Sequence, residues 1–171
     1  MTYKISSATQ AVNMPALEEL LLEYYAVVLQ KLAAVGGPSV NTPANKTASF
    51  CSNLQKVLPP TGRLMLVHDA NERLVGCGTL QQARFDAGEL KNLYVRPEAN
   101  GHRLGRQLVD VRIEAAREMG CRTLLVNAIK DNQDMLRIYE SIGFRFIDRY
   151  PECSDPEEIA DYFIYMQYDF D

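Results

Sequence analysis

The alternation of apolar and polar positions in the middle of the chain predicts an antiparallel meander of three strands. Two runs rich in apolar and β-branched residues span 63–68 and 74–82, and the polar segment Asp69-Ala-Asn-Glu72 joins them. A short polar link between two strand-like runs is typical of a hairpin. A third run, 89–95, follows the turn-like segment Phe85-Asp-Ala-Gly88.

Four segments place apolar residues at the three- and four-residue spacing of a helix. They span residues 13–32, 47–58, 103–119 and 132–142. Proline stops the second segment at Pro59-Pro60, and glycine ends the third and fourth, at Gly120 and Gly143. In the first segment, Tyr24 and Tyr25 are adjacent and cannot both face one apolar stripe. One of these two tyrosines is therefore a candidate to line a groove.

The remaining strand-like runs complete a mixed α/β order. They span residues 3–8, 123–128, 144–149 and 161–170, with loops predicted at 36–43 and 151–160. The order of elements fits an α/β sandwich with a mixed sheet. A length of 171 residues suits one domain, 1–171. Within the meander, Gly76 and Gly78 share one strand face, which indicates a bulge or a close neighbour there.

Composition and charge exclude several classes of protein. The net charge is −4 and no basic run balances it, which argues against nucleic-acid binding and suggests cationic or neutral partners. No apolar run approaches the roughly 18 residues of a membrane span. Residues 1–10 lack the pattern of a signal peptide, so we expect a cytoplasmic protein that does not bind membranes.

The cysteines and histidines do not predict a metal site. Four cysteines are dispersed without a Cys-x-x-Cys pair, and the chain has only two histidines. Neither histidine is tied to a cysteine by sequence, so no activated thiol is expected. We therefore predict a protein without a metal.

The segment Gly88–Arg106 contains the strongest candidate for ligand binding. A strand ends at Pro97, a loop carries Gly101, and a helix begins near Gly105. A loop that enters a helix N-terminus presents unpaired backbone N–H groups, and phosphate commonly binds to them. Gly101 and Gly105 can equally be a turn glycine and a close-packing glycine. The spacing is neither that of a dinucleotide fold nor that of a P-loop.

This segment resembles the acetyl-CoA loop of the GNAT superfamily of N-acyltransferases. The resemblance rests on Leu93-Tyr-Val-Arg-Pro-Glu followed by Asn100-Gly-His-Arg-Leu-Gly105, then on Leu124-Leu-Val-Asn-Ala, Asn132 and Ile138-Tyr-Glu-Ser-Ile-Gly-Phe144. Asn100 replaces the usual Arg or Gln, and Arg103 replaces the usual middle glycine. We expect the second departure to matter little if Arg103 has ordinary helical φ, because the phosphate donors are backbone amides.

The resemblance implies a fold and a set of contacts to acetyl-CoA. The implied fold is a mixed, mostly antiparallel sheet with helices on both faces, and the two helices within 13–58 wall the acceptor site. Two central strands splay apart, and acyl-CoA lies in the gap. The backbone of Leu93 to Val95 would bind the pantetheine arm, and Asn132 would lie near pantetheine or phosphate, unless it is only a helix N-cap. The implied cofactor-binding residues are Leu93, Tyr94, Val95, Asn100, Gly101, His102, Arg103, Leu104, Gly105, Arg106 and Asn132.

The resemblance also implies two proton carriers, because an alkyl amine is mostly protonated at neutral pH. Glu89 lies at the position of a general-base glutamate in several members, and partial burial would raise its pKa. Its alternatives are a structural pair with Lys91 and a water chain to another acid. Tyr139 lies where the family places a tyrosine near the CoA sulfur, as the general acid. The alternative for Tyr139 is a core tyrosine beside Leu136 and Ile142.

We therefore predict an N-acetyltransferase that moves an acetyl group from acetyl-CoA directly to a primary amine of a small molecule or peptide. Two alternatives remain. One is an acyl-CoA sensor without turnover, and the other is an acyltransferase with a different acyl group or a hydroxyl acceptor. A homodimer is a further expectation, since dimers are frequent in the superfamily and the Tyr-rich last strand is a candidate edge.

Overall fold

The predicted meander forms the centre of a seven-stranded sheet. The computed structural model describes residues 2–9 and 12–171. The strands are β1 Lys4–Ser7, β2 Gly62–His68, β3 Leu74–Arg84, β4 Ala87–Val95, β5 Thr123–Ile129, β6 Arg145–Ile147 and β7 Phe163–Asp169. Their spatial order is β1-β2-β3-β4-β5-β7-β6. All neighbours are antiparallel except β4 and β5, so the sheet is mixed and mostly antiparallel, as predicted.

Helices cover both faces of the sheet, which confirms the predicted fold class. They are α1 Met14–Ala34, α2 Pro43–Ser52, α3 Leu104–Glu118 and α4 Gln133–Ile142. Successive side chains of a strand point to opposite faces. In β2, Leu64 and Leu66 pack with α1, whereas Met65 and Val67 pack in the cluster that contains α3 and α4. Both faces are therefore apolar, and neither face of this strand is solvated.

The sheet opens at the junction between β4 and β5. Their parallel ladder joins only residues 87–90 to residues 123–126. Beyond Leu90, β4 continues to pair with β3, and beyond Val126, β5 continues to pair with β7. The two strands therefore diverge towards the carboxyl end of β4, and this divergence positions the site described below.

Two boundaries differ from the sequence prediction for identifiable reasons. The helix predicted at 47–58 begins at Pro43, because Thr42 Oγ1 accepts a 3.1 Å hydrogen bond from the amide of Asn45 and caps it. That helix ends at Ser52, and a short 3₁₀ helix covers Leu54–Val57. The predicted strand 144–149 is reduced to β6, because the chain then leaves the sheet edge and buries Tyr150.

The last strand is not the sheet edge that we expected. β7 lies between β5 and β6 and pairs with β5 along its whole length, from Phe163 to Asp169. The short β6 covers residues 165–167 on its other side. The tyrosines of β7 therefore give no support to an edge-to-edge dimer. The predicted loop at 151–160 contains the start of a 3₁₀ helix, Glu157–Tyr162.

Candidate active site

A cleft of about 600 Å³ lies where β4 and β5 separate. Residues 90–94 of β4 and 127–129 of β5 form its two diverging sides. Other lining residues come from α1, α2 and the segments next to them, from α4 and from the segment between β6 and β7. Both Tyr24 and Tyr25 line it, although we predicted that only one of them would line a groove.

A bulge in β4 shapes the floor of the cleft. Asn92 has a φ of 55°, and the β3–β4 register shifts between Cys77 and Thr79 opposite it. Its amide holds this conformation at both ends: Oδ1 accepts a 3.0 Å hydrogen bond from Thr79 Oγ1, and Nδ2 donates one of 3.0 Å to Tyr25 Oη. Asparagine tolerates the left-handed region better than most residues do. The bulge therefore links β3, β4 and α1 at one point.

A fully buried arginine supports the bulge from the opposite face. Arg112 of α3 donates to the carbonyls of Leu108, Thr79 and Lys91 at 2.8–3.1 Å. A Cβ at Gly78 would lie 3.1 Å from the Arg112 guanidinium carbon, so the glycine provides the space for this side chain. Burial lowers the pKa of Arg112. Arg112 was not predicted from the sequence, where the only signal for it was the close neighbour indicated at Gly78.

Tyr139 lies both in the core and on the cleft. It is 4% exposed, packs in the same cluster as Leu136, and its ring is 5.2 Å from that of Phe144. It also lines the cleft from α4. Burial raises the pKa of the Tyr139 phenol, and the nearby positive charge of Arg112 opposes this effect. Arg112 Nη2 has no hydrogen-bond partner among the described residues, so Arg112 acts on Tyr139 as a nearby positive charge.

Glu89 is more deeply buried than the partial burial we expected. It is 1% exposed, and both carboxylate oxygens accept hydrogen bonds. Oε1 accepts from Tyr150 Oη at 2.8 Å, and Oε2 accepts from Gln81 Nε2 at 3.0 Å. Lys91 Nζ is 3.9 Å from Oε1, so the predicted structural pair is present. Gln81 and Lys91 line the cleft, whereas Glu89 lies behind them.

The glycine-bearing loop has an open face at the start of α3. A Cβ at Gly101 or Gly105 would meet no atom within 4 Å, and Gly101 has a φ of +86°. The expectation for Arg103 is wrong, because its φ of 56° is left-handed and not helical. Arg103 is the N-cap residue, and the helix begins at Leu104. Glycine adopts a left-handed φ at no steric cost, so the glycine that is usual at this position would relieve the backbone strain at Arg103. The free N–H groups of this helix start still fit an anionic group such as a diphosphate.

The polar and basic side chains of this loop differ in how many contacts they make within the protein. Arg106 donates to Asp110 Oδ1 at 2.8 Å and to Ser141 Oγ at 3.4 Å, so its charge is partly used within the protein. His102 packs its ring 4.8 Å from that of Tyr3, and its carbonyl accepts from Gln107. Asn100 and Arg103 are exposed beside them.

The predicted pantetheine-binding positions surround the divergence of the strands. Leu93, Tyr94 and Asn132 line the cleft, whereas the side chain of Val95 does not. Within the described chain, residues 91–95 of β4 have no ladder partner on the β5 side, so an extended ligand can pair there. Asn132 occupies the N-cap position of α4, but its side chain makes no capping bond. Its amide therefore remains available to a ligand.

Five charged side chains of the described residues line the cleft, and the sequence predicted none of them as a cleft residue. They are Lys31, Lys46, Lys56, Lys91 and Asp155. Asp155 belongs to the predicted loop 151–160, and its carboxylate accepts a 2.9 Å hydrogen bond from Asn127 Nδ2. These residues come from α1, the α2 region, β4 and the β6–β7 connection. Only the tertiary structure brings them together, so no spacing in the sequence could have indicated them.

Residues 2–9 and 12–171 contain neither a candidate membrane-spanning helix nor a candidate metal site. No helix there is both long and apolar enough to cross a membrane. Nor does that part of the chain gather three or more His, Cys, Asp or Glu side chains that could hold a metal ion.

Comparison with protein families agrees with this geometry. A model of the acetyltransferase (GNAT) family matches residues 17–144. An uncharacterized N-acetyltransferase of Schizosaccharomyces pombe is 29% identical over 107 residues, which cover 62% of this chain and 66% of that relative. An uncharacterized N-acetyltransferase of Escherichia coli is 25% identical over 150 residues, which cover 84% of this chain and 90% of the relative. The chain thus spans just under two thirds of the first relative and most of the second.

Solved structures share the fold over almost the whole chain. An acetyltransferase of the GNAT family from Staphylococcus aureus has a TM-score of 0.73 at 17% identity and covers 97% of this chain and 99% of its own. An acetyltransferase from Salmonella typhimurium, solved with acetyl-CoA, has a TM-score of 0.67 at 19% identity and covers 99% of this chain and 94% of its own. At these identities the similarity is one of fold.

Proposed function

Because the chain belongs to the GNAT acetyltransferase family, we propose that it transfers an acetyl group from acetyl-CoA to the primary amine of a small molecule or peptide. The observation that carries this proposal is the cleft at the β4–β5 divergence, which Tyr139 and Asp155 both line. The pantetheine arm would pair with residues 91–95 of β4, and the diphosphate would bind at the open helix start near Gly101 and Gly105.

The reaction needs two proton transfers. The neutral amine nitrogen attacks the thioester carbonyl carbon, a C–N bond forms and the C–S bond breaks. Tyr139 would give a proton to the departing thiolate. Burial raises the pKa of this phenol, so Tyr139 keeps its proton throughout the neutral range and can act as a donor. Its place on the cleft wall supports this role.

The proton lost by the amine must go to a base. Glu89 is our predicted base, but its position behind Gln81 and Lys91 requires a water molecule between it and the amine. Asp155 is a second candidate, because its carboxylate lines the cleft itself. The two candidates differ in which single variant should lose the acidic limb of the pH–rate profile.

An assay of thiol release tests the proposal. The protein is incubated with acetyl-CoA and a panel of primary amines, and free CoA thiol and acetylated amine are measured together. We expect equal amounts of both products with at least one amine. Mass spectrometry of the purified protein identifies any acyl-CoA that it retains. Binding of acetyl-CoA without thiol release on any amine or hydroxyl compound would favour the sensor alternative. A cytoplasmic location remains a prediction.

A further inference from the structure

The cleft has a charge opposite to that of the whole chain. The chain carries a net charge of −4, from which we expected cationic or neutral partners. The charged residues lining the cleft are four lysines and one aspartate. Lys31 and Lys56 are exposed at its rim, and Lys46 and Lys91 are half-buried within it. The local charge, which is the one a substrate meets, therefore favours an anionic group.

Of the two half-buried lysines, Lys46 is the one without an ion-pair partner among the described residues. Its Nζ lies 5.2 Å from the centre of the Tyr25 ring, and no carboxylate of the described residues lies within 4 Å of it. Burial lowers the pKa of Lys46, Lys91 lowers it further, and Asp155 acts in the opposite direction. Lys91, by contrast, donates to Ser154 Oγ at 3.1 Å and lies 3.9 Å from Glu89. A partly desolvated ammonium gains most from an anion that arrives with a ligand.

The phosphates of CoA do not account for these lysines. The open helix start that fits the diphosphate comprises residues 100–106, and none of these residues lines the cleft. Lys46 belongs to α2 and Tyr139 to α4, and both line the cleft. The anion that Lys46 would bind therefore belongs to the acceptor. Asp155 offers the opposite charge in the same cleft, where an amine is required.

We propose that the acceptor is an amine that also carries a carboxylate, as an amino acid does, and that Lys46 binds this carboxylate. This inference rests on the proposed function, since it describes the second substrate of the same site. Apolar residues such as Phe50 and Val28 line the cleft beside Lys46, and they can contact the remainder of such a molecule.

Matched pairs of acceptors test the proposal by kinetics. L-Leucine is compared with 3-methylbutylamine, and L-phenylalanine with 2-phenylethylamine, because the members of each pair differ only in the carboxylate. Rates are compared at equal concentrations of the neutral amine, since the pKa of the amine differs within each pair. We expect the carboxylated member to have the higher kcat/KM. Lys46→Met should reduce that value roughly 10- to 100-fold, the effect of losing a hydrogen bond to a charged group. The same variant should leave kcat/KM for the uncharged amine within about twofold.

Lys4→Met is the control, because it removes an exposed lysine of β1 that does not line the cleft. It should change neither value. Equal loss on both members of a pair in Lys46→Met, or a preference for the uncharged amines, would overturn the proposal.

A binding measurement separates this inference from the proposed function. N-Acetyl-L-leucine and N-acetyl-3-methylbutylamine are titrated calorimetrically into the protein saturated with CoA. We expect tighter binding of the carboxylated compound in the wild type and loss of that difference in Lys46→Met. If no amine releases thiol but this difference is seen, Lys46 binds a carboxylate and the proposed function fails. Thiol release without any carboxylate dependence in either measurement gives the converse result.

Discussion

The phenol of Tyr150 donates a 2.8 Å hydrogen bond to Oε1 of Glu89. Both residues are buried: Tyr150 is 4% exposed and Glu89 is 1% exposed. Burial and the neighbouring carboxylate raise the pKa of Tyr150, so the phenol keeps its proton and acts as the donor. Tyr150 follows β6, and Glu89 lies in the four-residue stretch of β4 that pairs with β5. This bond therefore ties the connection after β6 to the centre of the sheet.

Removing the Tyr150 hydroxyl should destabilise the protein. We expect Tyr150→Phe to lower the free energy of unfolding by about 1.5–3 kcal/mol, because a buried carboxylate loses a hydrogen bond. Urea unfolding measures this change. Tyr168→Phe is the matched control, since its hydroxyl has no hydrogen bond within the described chain, and it should change stability by less than about 0.5 kcal/mol. Equal effects of the two variants would contradict the importance of the bond.

Acetyl-CoA should stabilise the folded protein. A ligand at 100 times its dissociation constant adds about 2.7 kcal/mol, which corresponds to a rise in Tm of roughly 5–10 °C for a chain of this size. Free CoA should raise the Tm nearly as much, because it shares the pantetheine arm and the phosphates. Differential scanning fluorimetry with either compound checks this. No shift at millimolar concentration would count against the proposed site.

Gly105 allows a test of the helix start. Because a Cβ there would meet no protein atom within 4 Å, Gly105→Val should fold, yet its side chain would occupy the space offered to the diphosphate. We expect the KM for acetyl-CoA to rise at least about tenfold, with a smaller rise for Gly105→Ala. Steady-state kinetics and circular dichroism provide the measurement and the check of folding. An unchanged KM in a folded variant would place the phosphates elsewhere.

The proposed acid and base should differ in their dependence on pH. Tyr139→Phe should lower kcat by about 10²–10⁴-fold. The defect should persist as the pH rises, because burial raises the pKa of the wild-type phenol, which therefore keeps the proton that the variant lacks. Glu89→Gln should lower turnover mainly below the pKa of the amine, and the loss should shrink at high pH, where the amine deprotonates without help. The pH–rate profiles of both variants test this.

Asp155→Asn decides which carboxylate is the base. If Glu89 acts through water, Asp155→Asn keeps the acidic limb of the pH–rate profile and Glu89→Gln loses it. The reverse pattern assigns the role to Asp155. Near-wild-type turnover of Tyr139→Phe would leave that tyrosine with a packing role only.

Arg112 should be important for stability. Its guanidinium donates to the carbonyl of Leu108 in its own helix and to those of Thr79 and Lys91 at the bulge, so Arg112→Met should lower the free energy of unfolding by at least about 3 kcal/mol. Arg117→Met removes an arginine from the exposed side of the same helix and should cost less than about 1 kcal/mol. Urea unfolding compares the two. A small effect of Arg112→Met would show that the bulge is held by Asn92 alone.

The sequence predicted the helices and strands well where the spacing of apolar residues agrees with the positions of glycines and polar turn residues. The hairpin at 69–72 and the glycines that follow α3 and α4 are where the sequence places them. The resemblance to the family also predicted the divergence of two central strands. Boundaries set by local capping were less accurate, as at Thr42 and Pro43. Side-chain capping depends on a backbone angle that residue type alone does not determine.

The charged interior could not be predicted in the same way. Arg112 lies in the middle of the buried face of α3, between Leu108 and Ala115. Charged residues are mostly exposed, so a sequence pattern predicts that this side chain faces solvent. Arg112 can be buried because backbone carbonyls at the bulge in β4 accept its hydrogen bonds, and because Gly78 leaves space for its side chain. The lysines of the cleft likewise come from separate elements. Partners that are distant in sequence leave no periodic signal.

The narrow junction between β4 and β5 has a consequence for synthesis of the chain. All strands on one side of the junction lie within residues 4–95, and all strands on the other side lie within residues 123–169. A ribosome therefore completes the first group of strands before β5 has been made, and during that interval β4 is an exposed edge. No cleft exists at this stage, so the proposed binding of acetyl-CoA cannot assist the folding of the nascent amino-terminal half. The emergence of residues 123–126 both covers the edge and creates the proposed binding site.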